Sequence, residues 1–332
     1  MDKANLPIID IGALRHGDKE GSQQAAQLID RACRDVGFFL VVNHGIPFDS
    51  IKATFEHARA FFDLPLKEKL TLSLEKHSNC FRGYAPVLSE LADGKPNSYE
   101  LMEFSVEFEH DHPDVLARKP MHGPNLWPEL PGYRAALTRY IEHMIHLGFD
   151  LMRGIAMGLG LEDDFFRRAF NGRPFWQFRT AHYPDPASLR AMSSAFPHVG
   201  QVPQVEVGDQ SCGAHTDYGC LTMLLADSPG LQILTTDGEW VSVPVVPGAY
   251  VCNVGDMLQY WTRDTYVATR HRVMTEGERI SLPFFFQPDY ETIVEPPDLF
   301  PVLSSKPFPA LRYGPYAFEK YRGIYPGAVF SR

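Results

Sequence analysis

No stretch of this chain approaches the roughly 20 consecutive apolar residues that a bilayer-crossing helix needs. The opening residues, MDKANLPIIDIGAL, hold no apolar core of signal-peptide length. Basic charge is scarce: Lys and Arg number 31 against 41 Asp and Glu, a formal net charge of -10, with no long basic block. That balance argues against a nucleic-acid or anionic-membrane partner. The five cysteines, Cys33, Cys80, Cys212, Cys220 and Cys252, are odd in number and form no CxxC pair. A reduced, cytoplasmic protein is the simpler expectation. Internal repeats, low-complexity tracts and linkers are missing too, and nothing marks a sticky exposed face, so a monomer is expected.

What is present fits a globular chain. Its 332 residues, 44% hydrophobic, suffice for one large core or two modest ones. The 26 Gly, 27 Pro, 23 Phe and 14 Tyr suit a β-rich fold with many turns. LPIIDIGAL (6–14) reads as a strand. SQQAAQLIDRACRDVG reads as a helix with Ala26, Ile29, Ala32, Cys33 and Val36 at helical spacing and Gly37 as C-cap. FFLVVNHGI is a buried strand, and DSIKATFEHARAFFDLP a helix capped by Asp49 or Ser50. Residues 77–131 show no clear period, and a long helix is predicted from about Tyr133 to Gly160.

After about residue 173 the period becomes alternating. WQFRTAHYP, CLTMLLAD, GLQILT, WVSVPV, AYVCNVGDMLQYW, YVATRHRVMT and RISLPFFFQ read as short strands between turn residues. A β-sandwich or barrel carrying a helical N-terminal layer follows, an α+β chain. It is expected to form one compact unit with an N-terminal region 1–120, a long-helix region 121–172 and a β-domain with C-terminal tail 173–332.

The stretch GAHTDYGCLTMLLAD places His215 and Asp217 two apart, where a strand would aim both at one point. They are either an ordinary polar loop or two-thirds of a metal site. RHRVMTEGERIS supplies a third candidate, His271, and two histidines with one carboxylate form the facial set that leaves positions open on non-haem Fe(II). Arg279 and Ser281 follow on one strand face across a short hairpin, a guanidinium and a hydroxyl suited to a small carboxylate. FRTAHYP places Arg179, Ala181 and Tyr183 on one face, a second cation and a phenol.

HTDYGCLTMLL, RHRV, RISLPFFFQP, the HYPDP turn, LPIIDIG and GFFLVVNHGI together resemble the Fe(II)/2-oxoglutarate oxygenases of the isopenicillin N synthase-like superfamily. The resemblance covers nearly the whole chain, with the motifs in the family's order. It implies a double-stranded β-helix (jelly-roll, cupin-like) core flanked by N-terminal helices. It implies His215, Asp217 and His271 as iron ligands, and Arg279 and Ser281, with Tyr183 as third donor, as the 2-oxoglutarate anchor. Many relatives carry asparagine two residues before that tyrosine; here it is Ala181, so the donor role passes to Arg179. Dioxygen as co-reactant, ascorbate as a stimulant and succinate with CO2 as co-products complete what the likeness implies.

The expected reaction is oxidation, by default hydroxylation, of a C–H bond in a small-molecule metabolite. Phe285 shares the face of Arg279 and Ser281 and is a candidate to stack on the substrate. Arg82, Tyr84, Phe104 and Trp176, with Phe81 and Phe175, come from segments expected to line the barrel mouth. A fainter likeness of RTAHYP and HTDYG to the fungal thymine hydroxylases points to a pyrimidine or other heterocycle. Two alternatives stay open: an iron oxidase on the same fold without 2-oxoglutarate, and a non-catalytic small-molecule binding protein.

Overall fold

The computed structural model describes residues 5–77, 80–92, 95–194, 211–300 and 306–325. Helix Lys19–Asp35 stops because Gly37 adopts a left-handed φ of 71°, and its N–H returns to the Ala32 carbonyl at 2.8 Å. A Cβ at position 37 would sit 2.0 Å from the Val267 carbonyl oxygen, so only glycine fits this turn into strand Phe38–Val42.

That strand enters an eight-stranded sheet. Its order is Ile8–Asp10, Phe38–Val42, Tyr250–Val254, Leu221–Ala226, Arg279–Phe286, Gln177–Tyr183, Glu100–Ser105 and Gly83–Ala85. The first pair is parallel and all others are antiparallel. A second, four-stranded antiparallel sheet runs Trp240–Ser242, Leu231–Leu234, His271–Val273, Cys212–His215. Between the sheets lies an apolar layer that includes Phe38, Leu40, Leu231, Ile233 and Val243. Strands from the N-terminal region thus extend the large sheet of the jelly-roll core.

The long helix, Tyr133–Gly158, covers the outer face of the large sheet. Gly148 permits the close approach, since a Cβ there would lie 2.4 Å from the Phe286 ring. Tyr140 packs on Phe178 and Phe149 on Phe286 across the same seam. No helix among the described residues is long and apolar enough to cross a membrane.

Several boundaries differ from expectation. The first strand is only Ile8–Asp10, because the Asp10 carboxylate accepts from the Gly12 N–H and turns the chain into a short helix, Gly12–His16. The second long helix begins at Phe48 behind Pro47, with neither Asp49 nor Ser50 as cap. AYVCNVGDMLQYW splits at Gly255 into a strand and the helix Asp256–Trp261. The region 77–131 is not patternless: it contributes Gly83–Ala85 and Glu100–Ser105 to the sheet, the latter buried at all six positions. Burial on both faces erases the alternation that marks a strand.

Candidate metal centre

His215 and His271 are direct cross-strand partners in the smaller sheet, with ring centroids 4.4 Å apart. His215 ends its strand, and Asp217 lies just beyond it in the loop rather than on the strand as the spacing suggested. One atom from each of the three side chains falls within 4.8 Å of the others. Asp217 Oδ1 stands 3.7 Å from His215 Nε2 and 3.6 Å from His271 Nε2.

Neighbours fix which atoms face inward. His215 Nδ1 lies 2.8 Å from the Gly213 carbonyl, and His271 Nδ1 lies 3.1 Å from that of Thr269. Each Nδ1–H therefore donates to backbone and turns its Nε2 toward the shared point. Asp217 Oδ2 accepts from the Thr222 hydroxyl at 2.5 Å and from Asn253 Nδ2 at 2.6 Å, leaving Oδ1 for the shared point. Thr222 and Asn253 are register partners on adjacent strands, which holds both donors together. Burial pushes Asp217 upward, but the two imidazoles and Thr222 hold it well below the usual carboxylate range. Two imidazole nitrogens, which give up their protons when a metal binds, and one carboxylate oxygen, open to a cavity on one side, suit a divalent transition metal.

Inward from this cluster, a narrow cavity is lined by Tyr183, Arg279, Ser281 and Phe285 from the large sheet and by His215 and His271 from the small one. Arg279 and Tyr183 are register partners, and the guanidinium carbon sits 4.9 Å from the phenol ring centre. Ser281 lies two residues along the same strand from Arg279 and lines the same cavity. Arg279 is almost wholly buried, its Nε donates to the Ser228 carbonyl, and its Nη1 finds no partner among the described residues. A buried cation with a free donor demands an anion. Burial pushes the Tyr183 phenol up to about 12, so it remains a donor at neutral pH.

Outward from the cluster lies a larger cavity of about 600 Å³, lined in part by Glu90, Asn97, Tyr99, Arg179, Tyr218, Arg270, Phe285 and Gln287. The C-terminal helix Tyr313–Ile324 closes one side through Lys320, Tyr321 and Ile324. Phe285 borders both cavities, as its strand face predicts.

The family model described as 2OG-Fe(II) oxygenase superfamily matches residues 182–288, and the one described as non-haem dioxygenase in morphine synthesis N-terminal matches 6–130. The chain belongs to the 2OG-Fe(II) oxygenase superfamily. It is 35% identical over 303 residues to a homoarginine-6-hydroxylase of Oryza sativa subsp. japonica, covering 88% of each chain. It is 34% identical to the 2-oxoglutarate-dependent dioxygenase thnC of Trichoderma harzianum, covering 86% of this chain and 85% of that one. A full-length protein of Neurospora crassa, solved in complex with alpha-KG and thymine, superposes with a TM-score of 0.78 at 25% identity over 96% of both chains. The protein is a dioxygenase that uses Fe(II) and 2-oxoglutarate.

In this oxygenase Arg179 does not reach the inner cavity with a free donor. Its Nε binds Glu103 at 2.8 Å, and both terminal nitrogens are held by Glu90. The expectation that Arg179 replaces the missing asparagine as a 2-oxoglutarate donor therefore meets a guanidinium already engaged. Four proposed mouth residues also lie elsewhere. Phe104 pairs with Phe178, and Tyr84 with Met102, on the sheet face opposite Arg179 and Glu103. Phe104 stacks on Trp127, Tyr84 donates to Glu100, and Trp176 stacks on Phe284. Arg82 is fully buried and, among the described residues, makes one hydrogen bond, to the Met121 carbonyl. Phe81 packs against Tyr321 and Phe175 against Tyr290.

Sequence reasoning missed Thr222, Asn253, Glu90, Tyr99, Glu103 and Gln287. Thr222 and Asn253 carried a usable signal, since each is a polar residue within an apolar strand. Glu90 and Tyr99 flank or precede strand Glu100–Ser105, whose own period was invisible.

Proposed function

We propose that His215, Asp217 and His271 hold the Fe(II), that Arg279, Ser281 and Tyr183 bind the far carboxylate of 2-oxoglutarate, and that the outer cavity takes a small metabolite for hydroxylation. The observation that carries the assignment is the unpartnered Arg279 Nη1, buried beside Tyr183 in the cavity that His215, Asp217 and His271 also line. A dicarboxylate spanning that cavity would satisfy the cation at one end and leave its keto-acid end at the metal.

When bound, the iron supplies the activation of dioxygen that splits 2-oxoglutarate into succinate and CO2 and puts one oxygen atom into a substrate C–H bond. The chain's own residues position. Arg279 and Ser281 fix the cosubstrate's orientation by charge-assisted hydrogen bonds. Thr222 and Asn253 fix the Asp217 carboxylate, and the Gly213 and Thr269 carbonyls fix the imidazole tautomers. Phe285, between the two cavities, separates the cosubstrate from the outer space. The named activities of relatives include hydroxylation of homoarginine, and the Neurospora crassa structure holds thymine. A charged amino acid and a neutral heterocycle are accordingly the two substrate types to compare for this chain.

Succinate formation from 2-oxoglutarate, with Fe(II) and dioxygen present, tests the assignment. Release should require all three and disappear in His271→Ala. Metal-dependent oxygen consumption that ignores 2-oxoglutarate would instead support the oxidase reading.

A further inference from the structure

We propose that Glu90, held in place by Arg179, is the residue that reads the prime substrate, and that it takes a cationic, N–H-bearing end, a guanidinium or an ammonium. This rests on the reading of the outer cavity as the substrate's place and adds the substrate's chemical class.

A guanidinium has five N–H donors, and Arg179 has five contacts to meet them. Nε donates to Glu103 at 2.8 Å. Nη1 faces Tyr99 Oη at 3.0 Å and Glu90 Oε2 at 3.3 Å. Nη2 faces Glu90 Oε1 at 3.1 Å and Tyr325 Oη at 3.4 Å. Nothing is left over for a substrate carboxylate or carbonyl. Glu103 is buried behind the wall, whereas Glu90 lines the cavity itself.

The neutral amides of the wall are committed in the same sense. Asn97 Nδ2 serves Glu90 at 3.2 Å and Tyr99 at 3.4 Å. Gln287 Nε2 donates to Gln177 at 3.0 Å, while Gln287 Oε1 is buried with no partner among the described residues. Among the described residues Glu90 Oε1 meets Arg179 alone, and a carboxylate oxygen accepts two. Around Glu90 the donors of Arg179 and Asn97 are committed, and an open acceptor position remains on a charged group. A guanidinium or ammonium would find a carboxylate, an amide oxygen and the aromatic faces of Tyr99, Tyr218 and Phe285.

The test is ligand-induced thermal stabilisation of the protein loaded with Mn(II) and 2-oxoglutarate. The probes are ω-guanidino and ω-amino acids of graded chain length, each beside a neutral isostere (citrulline for arginine, norleucine for lysine), with thymine as a separate arm. At least one cation should bind about tenfold or more tightly than its isostere, as a charge-assisted hydrogen bond implies. Glu90→Gln should collapse that ratio to near unity, and Glu90→Asp should retain part of it. Equal binding of cations and isosteres, preference for thymine, no response to either series, or a ratio preserved in Glu90→Gln would each overturn the proposal. The wild-type ratio stands even if a variant fails to fold. A protein that does not respond to Mn(II) and 2-oxoglutarate together would overturn the underlying site assignment instead, so the two failures are distinguishable.

Discussion

Arg279 and Arg179 both come from the large sheet and both border the cavities beside the metal cluster, yet their electrostatic situations are opposite. Arg179 is clamped by Glu90 and Glu103, while Arg279 has a backbone carbonyl on Nε and an unpartnered Nη1. The first is a neutralised piece of wall; the second keeps a buried donor without a partner among the described residues. On the proposed reading, this contrast separates the cosubstrate cavity from the substrate cavity.

Replacing Arg279 by Lys should therefore strike 2-oxoglutarate selectively. The ammonium keeps the charge but loses the planar fork. KM for 2-oxoglutarate should rise by about 10- to 100-fold, corresponding to roughly 1.5–3 kcal/mol for hydrogen bonds to a charged group, with succinate release as the readout. An unchanged KM would place the anchor elsewhere.

Thr222 and Asn253 hold the carboxylate oxygen that does not face the histidines. Thr222→Val or Asn253→Ala should weaken metal binding by about 10- to 100-fold, the usual cost of losing an outer hydrogen bond to a ligand. Titration of the apoprotein with Mn(II) checks this, and wild-type affinity in both variants would contradict it.

Glu103 gives the fold a pH dependence of known sign. Burial pushes its carboxyl up to about 7, against the opposing pull of Arg179. In the unfolded chain a glutamate titrates near about 4.3, so between these values the folded state binds more protons. Stability contributed by this group is full below about 4.3 and is lost as pH rises through about 7. The ceiling is roughly 4 kcal/mol, from about 1.4 kcal/mol per unit of pKa. Urea unfolding of wild type and Glu103→Gln at about pH 5 and pH 8 should show the wild type's advantage shrinking with pH. Parallel profiles would contradict the assignment.

Gly148 governs how closely the long helix approaches the sheet. A methyl group there would stand 2.4 Å from the Phe286 ring. Gly148→Ala should destabilise by about 1–3 kcal/mol through overpacking, despite the better helix propensity of alanine. A melting temperature at or above wild type would show that the seam can open without cost.

How legible was all this in the sequence? The convergence of His215, Asp217 and His271 was, because they are unusual residues at the edges of apolar strands and their spacing has few other uses. Arg279, Ser281 and Phe285 were also legible, since a strand's period of two puts them on one face. Arg179 was placed on the correct face and given the wrong partner. Its two carboxylates come from the 77–131 region, where Glu100–Ser105 is buried on both sides and shows no alternation. Tyr84, Phe104 and Trp176 failed for a simpler reason. They lie on sheet segments beside the site but carry the opposite parity, so their side chains face away from the cavity.

The division into an inner cosubstrate cavity and an outer substrate cavity is tested most directly by a crystal structure of the protein with Mn(II) and 2-oxoglutarate. The account predicts one metal bonded to Nε2 of His215, Oδ1 of Asp217 and Nε2 of His271, with the far carboxylate on Arg279 and Ser281. A metal bound by any other set of side chains, or that carboxylate lying on Arg179, would contradict it.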